Sequence, residues 1–140
     1  MNKILSSTAL VMTLALAFGT SSHAGKKISP KVVPGAKTVN AQQAKKLFDQ
    51  GVIFVDVRKD KDFAAGRVPD AVHIELKKVF NKGTLGEHVK QNQKVVIYCN
   101  GHSCLRSAKA AEKAVAWGFK KVYYYRDGFP SWKKSGYPVE

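Results

Sequence analysis

Lys94-Val95-Val96-Ile97-Tyr98-Cys99-Asn100-Gly101-His102-Ser103-Cys104-Leu105-Arg106-Ser107-Ala108-Lys109-Ala110-Ala111 decides how this chain folds. Its first part, Lys94 to Tyr98, is a continuous apolar run rather than an alternating one. That is the pattern of a strand buried on both faces, as in a parallel sheet. A polar loop with a glycine follows. From Leu105 to Trp117 the apolar residues Leu105, Ala108, Ala111 and Val115 share one helical face, while Lys109, Glu112 and Lys113 point away.

The same alternation extends in both directions. Upstream, Asn40 caps a helix with Gln43 as its reciprocal partner. Ala41, Ala44, Leu47 and Phe48 form its inner face, and Gly51 stops it. Val52 to Val55 is a second buried strand, running into Asp56-Val57-Arg58, and a helix is expected over Lys61 to Ala65. A weaker helix is expected near Leu85 to Lys90, and Val122 to Tyr125 is a third strand. Strands alternating with helices predict an α/β fold, a central mostly parallel sheet with helices on both faces. In such sheets the working residues gather at the C-terminal strand ends.

The 140 residues suffice for one domain. The first 24 stand apart. Lys3 precedes an apolar run from Ala9 to Phe18, and Ser22-His23-Ala24 presents small residues where a signal peptidase reads them. The expectation is a signal peptide over residues 1–24, a flexible lead-in over 25–37 and the folded domain over 38–140. The run is short for a spanning helix, so no stable membrane anchor is expected after cleavage, and the location is periplasmic or secreted. The formal net charge of +14 favours anionic partners. The lysines are spread along the chain rather than gathered in a groove motif, so nucleic acid is not an expected partner.

Cys99 carries the chemistry. It ends a strand and precedes a glycine-containing loop and a helix N-terminus. Inward-turned loop amides form an anion-binding nest there, and the helix adds partial positive charge. Both stabilise a thiolate and lower its pKa below the free value of about 8.5. Cys99 is therefore the candidate nucleophile. Asn100, Gly101, His102, Ser103 and Cys104 form the candidate anion-binding loop, with Gly101 permitting the turn and Arg106 strengthening the field. His102 either donates to the anion or stays in solvent. Cys104 is either a resolving thiol for Cys99 or a filler at the first helical turn. In an oxidising compartment a flexible loop that sets the cysteines five positions apart lets the two sulfurs meet, and a disulfide is expected. Asp56 and Arg58, at a neighbouring strand end, are candidate supporting residues. Cys99, His102 and Cys104 lack the spacing of a structural zinc site, and no metal or other cofactor is expected.

Four separated motifs then resemble the rhodanese family. Val55-Asp56-Val57-Arg58 with Asp62-Phe63-Ala64-Ala65-Gly66-Arg67-Val68-Pro69-Asp70-Ala71-Val72-His73-Ile74 is similar to its N-terminal signature. Val95 to Cys99 with Arg106 to Ala111 resembles its active-site strand and helix. Asp127-Gly128-Phe129-Pro130-Ser131-Trp132 and Gly136-Tyr137-Pro138-Val139 resemble its closing segments. The resemblance implies a rhodanese-like three-layer fold and a sulfurtransferase. Such an enzyme takes sulfane sulfur from a small sulfur-containing anion or persulfide donor and holds it as a Cys99 persulfide. It then passes the sulfur to a thiol acceptor, possibly a protein. The departures are informative. Six residues separate Cys99 from Arg106 where the common single-domain loop has four. Arg67 replaces a usual histidine and Asp127 a common glycine. Two further readings are carried: a thiol–disulfide redox protein using Cys99 and Cys104, and a non-catalytic sulfur carrier or binding module. N-terminal sequencing of exported chain is expected to return Gly25; recovery of Met1 overturns the signal-peptide expectation.

Overall fold

The computed structural model describes Gly25 and residues 27–140. The expected signal peptide lies outside these residues. The strands β1 (Ala36–Thr38), β2 (Ile53–Asp56), β3 (Val72–His73), β4 (Lys94–Tyr98) and β5 (Lys121–Tyr125) form one sheet in the order β1-β5-β4-β2-β3. Every adjacency is parallel. The helices are α1 (Ala41–Asp49), α2 (Asp60–Ala65), α3 (Lys82–His88), α4 (Arg106–Ala116) and α5 (Gly128–Lys134).

The apolar runs are explained by the two cores. Successive strand residues point to opposite faces. Val95, Ile97 and Cys99 enter one core with Leu85 of α3 and Ala108, Ala111 and Ala114 of α4. Val96 and Tyr98 enter the other with Ala44 and Leu47 of α1 and Phe129 and Trp132 of α5. A strand between two helical layers has no solvent side, so it reads as unbroken apolar sequence. Trp132 is fully buried against Phe48, Phe54 and Tyr137 and donates its indole N–H to the Pro138 carbonyl at 2.7 Å.

The differences from expectation have local causes. The α1 capping box forms between Asn40 and Gln43 as its sequence predicts. The weak helix near Leu85 instead spans Lys82–His88, because the Asn81 side chain accepts the Thr84 amide and sets an earlier start. Asp60 opens α2, and Leu105 and Trp117 are the caps of α4 rather than its ends. β1, β3 and α5 were not anticipated. β1 is a short polar edge strand, β3 has two residues, and α5 contains Gly128 and Pro130.

The stretch expected as a flexible lead-in is tied to the body. Val33 is buried, Ala36 and Lys37 belong to β1, and the Tyr124 hydroxyl donates to the Pro30 carbonyl at 3.0 Å. The packed chain thus begins before Thr38.

Register decides where chemistry gathers. Asp56 pairs with Tyr98, and Tyr98 with Tyr125, so β2, β4 and β5 end level with one another. The chain leaves β2 toward β3 and leaves β4 toward β5, in opposite directions across neighbouring strands. Connections that part in this way open a crevice at the carboxyl ends.

Buried Glu75 closes one wall of that crevice. It accepts the amides of Lys77 and Lys78 at 2.8 and 2.7 Å and pairs with Arg106 of α4. Burial opposes its charge, but Arg106 and the two amides outweigh it, and the carboxyl sits below its ordinary 4.5. A depressed carboxylate pKa contributes stability above the unfolded value and loses it as pH falls through the folded one. Thermal melts are therefore expected to fall as pH drops below about 4.5. Glu75→Gln should lower neutral-pH stability by on the order of 1–2 kcal/mol and flatten the acid slope. An unchanged acid slope in Glu75→Gln refutes this assignment.

Candidate active site

The polypeptide emerges from β4 at Cys99, whose side chain has no solvent exposure. Two backbone contacts fix its position. Its carbonyl accepts the Phe129 amide at 2.9 Å. Gly128, at φ +64°, passes so close that a Cβ there would stand 2.3 Å from the Cys99 oxygen and 2.8 Å from the Gly101 nitrogen. The chain entering α5 is thus laid directly on the first turn of the loop.

The loop has its own anchors. Gly101 takes φ +98°, and its carbonyl accepts the Cys104 amide at 3.0 Å. That turn folds Cys104 back, and the Cys99–Cys104 disulfide is formed, with 6.4 Å between the Cα atoms. Such a separation lies inside the range that disulfides span. The pairing suits the resolving-thiol alternative for Cys104, and the same side chain also packs against the core as the filler alternative expects. The two sulfurs are not equivalent: Cys99 is wholly buried, whereas Cys104 is part-exposed and lines a cleft.

Asp56 and Arg58 stand beneath the loop. Arg58 Nε lies 3.0 Å from both Asp56 oxygens, and its terminal nitrogen lies 2.6 Å from Oδ2. The guanidinium also donates to the Gly66 carbonyl at 2.7 Å and to the Asn100 side chain at 3.2 Å. Its ring-side face stacks 4.5 Å from Phe129. Burial disfavours the cation, but Asp56 overrides this and raises the Arg58 pKa. Asn100 passes the contact on, donating to Asp62 of α2 at 3.2 Å. Neighbouring Tyr98 is held far above its ordinary pKa by burial and by Asp56, so its phenol stays protonated. Its hydroxyl accepts the Val68 amide.

Other expected residues are placed differently. His102 is exposed, but its Nε2 bonds the Asp127 carboxylate, so it links the loop to the β5–α5 turn. Arg106 lines the cleft beside Cys104, with its guanidinium paired to Glu75 and touching the Val57 carbonyl. Ser103 joins Cys104 in the wall of a cleft of about 540 Å³. Lys59, Lys61, Lys77 and Lys109 surround that cleft, with Asp62 as the acidic exception. Ion pairs of these four lysines are absent among the described residues, and an anion reaching Cys104 meets unneutralised positive charge. On the other side of the loop, Asn100, Gly101, His102, Asp127 and Lys134 line a second opening.

Several functional neighbours had no sequence signal of their own. Ser29, read as part of a loose segment, donates its amide to the His102 carbonyl at 2.7 Å, and Arg126 holds the Ser29 carbonyl at 2.8 Å. Glu75 and the lysine rim are likewise scattered in sequence. In the sequence, Gly128 is one residue of a closing motif. Its close approach to Cys99 and Gly101 arises only when β5 is laid beside β4. Gly128→Ala is expected to cost at least about 2 kcal/mol, from strain and overlap with backbone that cannot swing away. It should also expose Cys99 to alkylation in reduced protein. Near-native melting with unchanged alkylation refutes the clamp.

A family model, the Rhodanese-like domain, matches residues 40–135. The chain is 33% identical over 104 residues to thiosulfate sulfurtransferase GlpE of Pseudomonas syringae pv. syringae, covering 74% of this chain and 92% of that protein. It is also 33% identical over 108 residues to a tRNA uridine(34) hydroxylase of Buchnera aphidicola, covering 66% of this chain but spanning only 31% of that longer protein. The crystal structure of a Bacillus halodurans protein superposes with a TM-score of 0.66 at 26% identity, over 75% of this chain and 77% of the other. With its parallel sheet, its helical layers and its strand-end cysteine loop, the chain belongs to the rhodanese-like domain family.

Proposed function

We propose that this chain is an exported sulfurtransferase that moves a sulfane sulfur through a Cys99 persulfide to a thiophilic acceptor. The observation that carries the reading is the placement of Cys99 at the end of β4, directly before a loop that opens on the N-terminus of α4. The name of the Pseudomonas relative supports the same class of chemistry. Location in the periplasm or outside the cell rests on the N-terminal sequence pattern and is compatible with a loop disulfide.

In the reduced chain the Cys99 thiolate attacks the outer sulfur of the donor. The bond between that sulfur and the rest of the donor breaks, the remainder leaves with the electron pair, and Cys99 holds a persulfide. Loop amides and the α4 dipole stabilise the negative charge on both thiolate and persulfide. Lys59, Lys61, Lys77 and Lys109 draw the anionic donor to the mouth of the site. An acceptor thiolate then takes the outer sulfur, and Cys99 returns to its starting state. Asp56 and Arg58 support the loop through Asn100 without touching the donor.

The loop, two residues longer than the common form, sets the donor preference. A wider loop brings fewer amides within about 2.7–3.1 Å of a small transition state, and each lost donor costs on the order of 10²-fold. Steady-state kinetics on reduced protein are expected to give weak thiosulfate:cyanide turnover and faster reaction with a polysulfide. Efficient thiosulfate turnover refutes the loop argument, and Cys99-dependent hydrolysis of a small aryl phosphate moves the protein to phosphatase-like chemistry. Cys99→Ser should abolish sulfur transfer while Cys104→Ser retains at least part of it. The reverse pattern overturns the choice of nucleophile.

A further inference from the structure

We propose that Cys104 converts the Cys99 persulfide into hydrosulfide and the loop disulfide, so that the protein reduces sulfane sulfur as well as carrying it. The inference rests on the sulfurtransferase reading above for the loading of Cys99. Its basis is the pairing itself. Cys104 is held by the Gly101–Cys104 turn at bonding reach of Cys99, and the two are joined. A persulfide formed on Cys99 therefore has a thiol built beside its inner sulfur, nearer than any acceptor arriving from solvent could be held.

The step balances. Thiosulfate first gives its outer sulfur to the Cys99 thiolate and leaves as sulfite. The Cys104 thiol then attacks Sγ of Cys99. A new Sγ–Sγ bond forms, the bond from Sγ to the outer sulfur breaks, and that sulfur departs with the electron pair. It takes the proton of Cys104 and leaves as hydrosulfide. Two thiols are oxidised to a disulfide while one sulfane sulfur is reduced to sulfide. Holding the nucleophile beside its target replaces a bimolecular encounter, which is the usual source of large intramolecular rate gains.

The same geometry dictates how the cycle closes. Cys99 is wholly buried in the oxidised chain and Cys104 is not. An external thiol therefore reaches Cys104 first. It forms a mixed disulfide there and releases Cys99 as the thiolate into the loop, where the α4 N-terminus favours it. A second thiol clears Cys104. The oxidised chain takes up no sulfur until this reduction has occurred. The cleft beside Cys104 carries four lysines, so an anionic thiol such as glutathione is the class of reductant this face accepts best.

The test is a single turnover of the reduced full chain with thiosulfate labelled in its outer sulfur and no added thiol. Wild type is expected to release the label as hydrosulfide, close to one equivalent per chain, and to lose two hydrogens by intact mass. Cys104→Ser is expected to hold the labelled sulfur on Cys99, release no hydrosulfide, and surrender the label when a thiol is added. Wild type that retains the label, on Cys99 or transferred to Cys104, overturns the inference while leaving sulfur transfer in place. Cys104→Ser that takes up no label from thiosulfate or from a polysulfide overturns the sulfurtransferase reading instead. Treating the oxidised chain with a limiting amount of glutathione should place the mixed disulfide on Cys104 in peptide maps. An adduct on Cys99 overturns the order of attack.

Discussion

A buried guanidinium holds this site together. Arg58 is 3% exposed, and a cation so deep in the protein is tolerated only with a close counter-charge and filled hydrogen-bond positions. Asp56, two residues before it on the same strand end, supplies the charge, and the Gly66 carbonyl and Asn100 accept two further donors. Phe129 of α5 covers the guanidinium face. One side chain thus joins the end of β2, the exit of α2, the loop after Cys99 and α5. Such a pair need not add net stability, but removing either partner strands the other and costs about 3–5 kcal/mol. Its value lies in fixing how four segments meet around Cys99.

The loop is held from three sides. Arg58 reaches Asn100 from below, Gly128 and Phe129 press on Cys99 and Gly101, and Ser29 binds the His102 carbonyl. His102 and Asp127 add a side-chain link to the β5–α5 turn. The loop therefore separates two openings of different character. The Cys104 side is rimmed by lysines, and the His102 side is mixed in charge. Burial of one sulfur and exposure of the other gives the disulfide a direction, because an incoming nucleophile attacks the sulfur it can reach.

Much of this was legible in the chain. Strands buried on both faces announce themselves as unbroken apolar runs, as Val95 to Tyr98 does. The Asn40–Gln43 box and the inner face of the α4 sequence are short-range patterns that neighbouring residues cannot disguise. The position of Cys99 at a strand end followed from the buried strand before it and the helix after it. Elements without such patterns were missed: β1 is made by pairing with β5, and its residues carry no strand signal. Arg106 shows the same limit among site residues. Its place at the start of α4 was readable, but its pairing with Glu75 depends on the path taken after β3, 31 residues away.

The sequence by itself determined the alternating α/β plan, the place of Cys99 between a buried strand and a helix, and a second cysteine five residues on, since these rest on periodicity and spacing along the chain. Tertiary structure alone decided which sulfur is buried, that Arg106 serves Glu75, that Gly128 must be glycine against the Cys99 carbonyl, and that Ser29 steadies the loop. Each of those depends on parallel strands ending level, a register that brings distant residues within contact and is encoded nowhere locally.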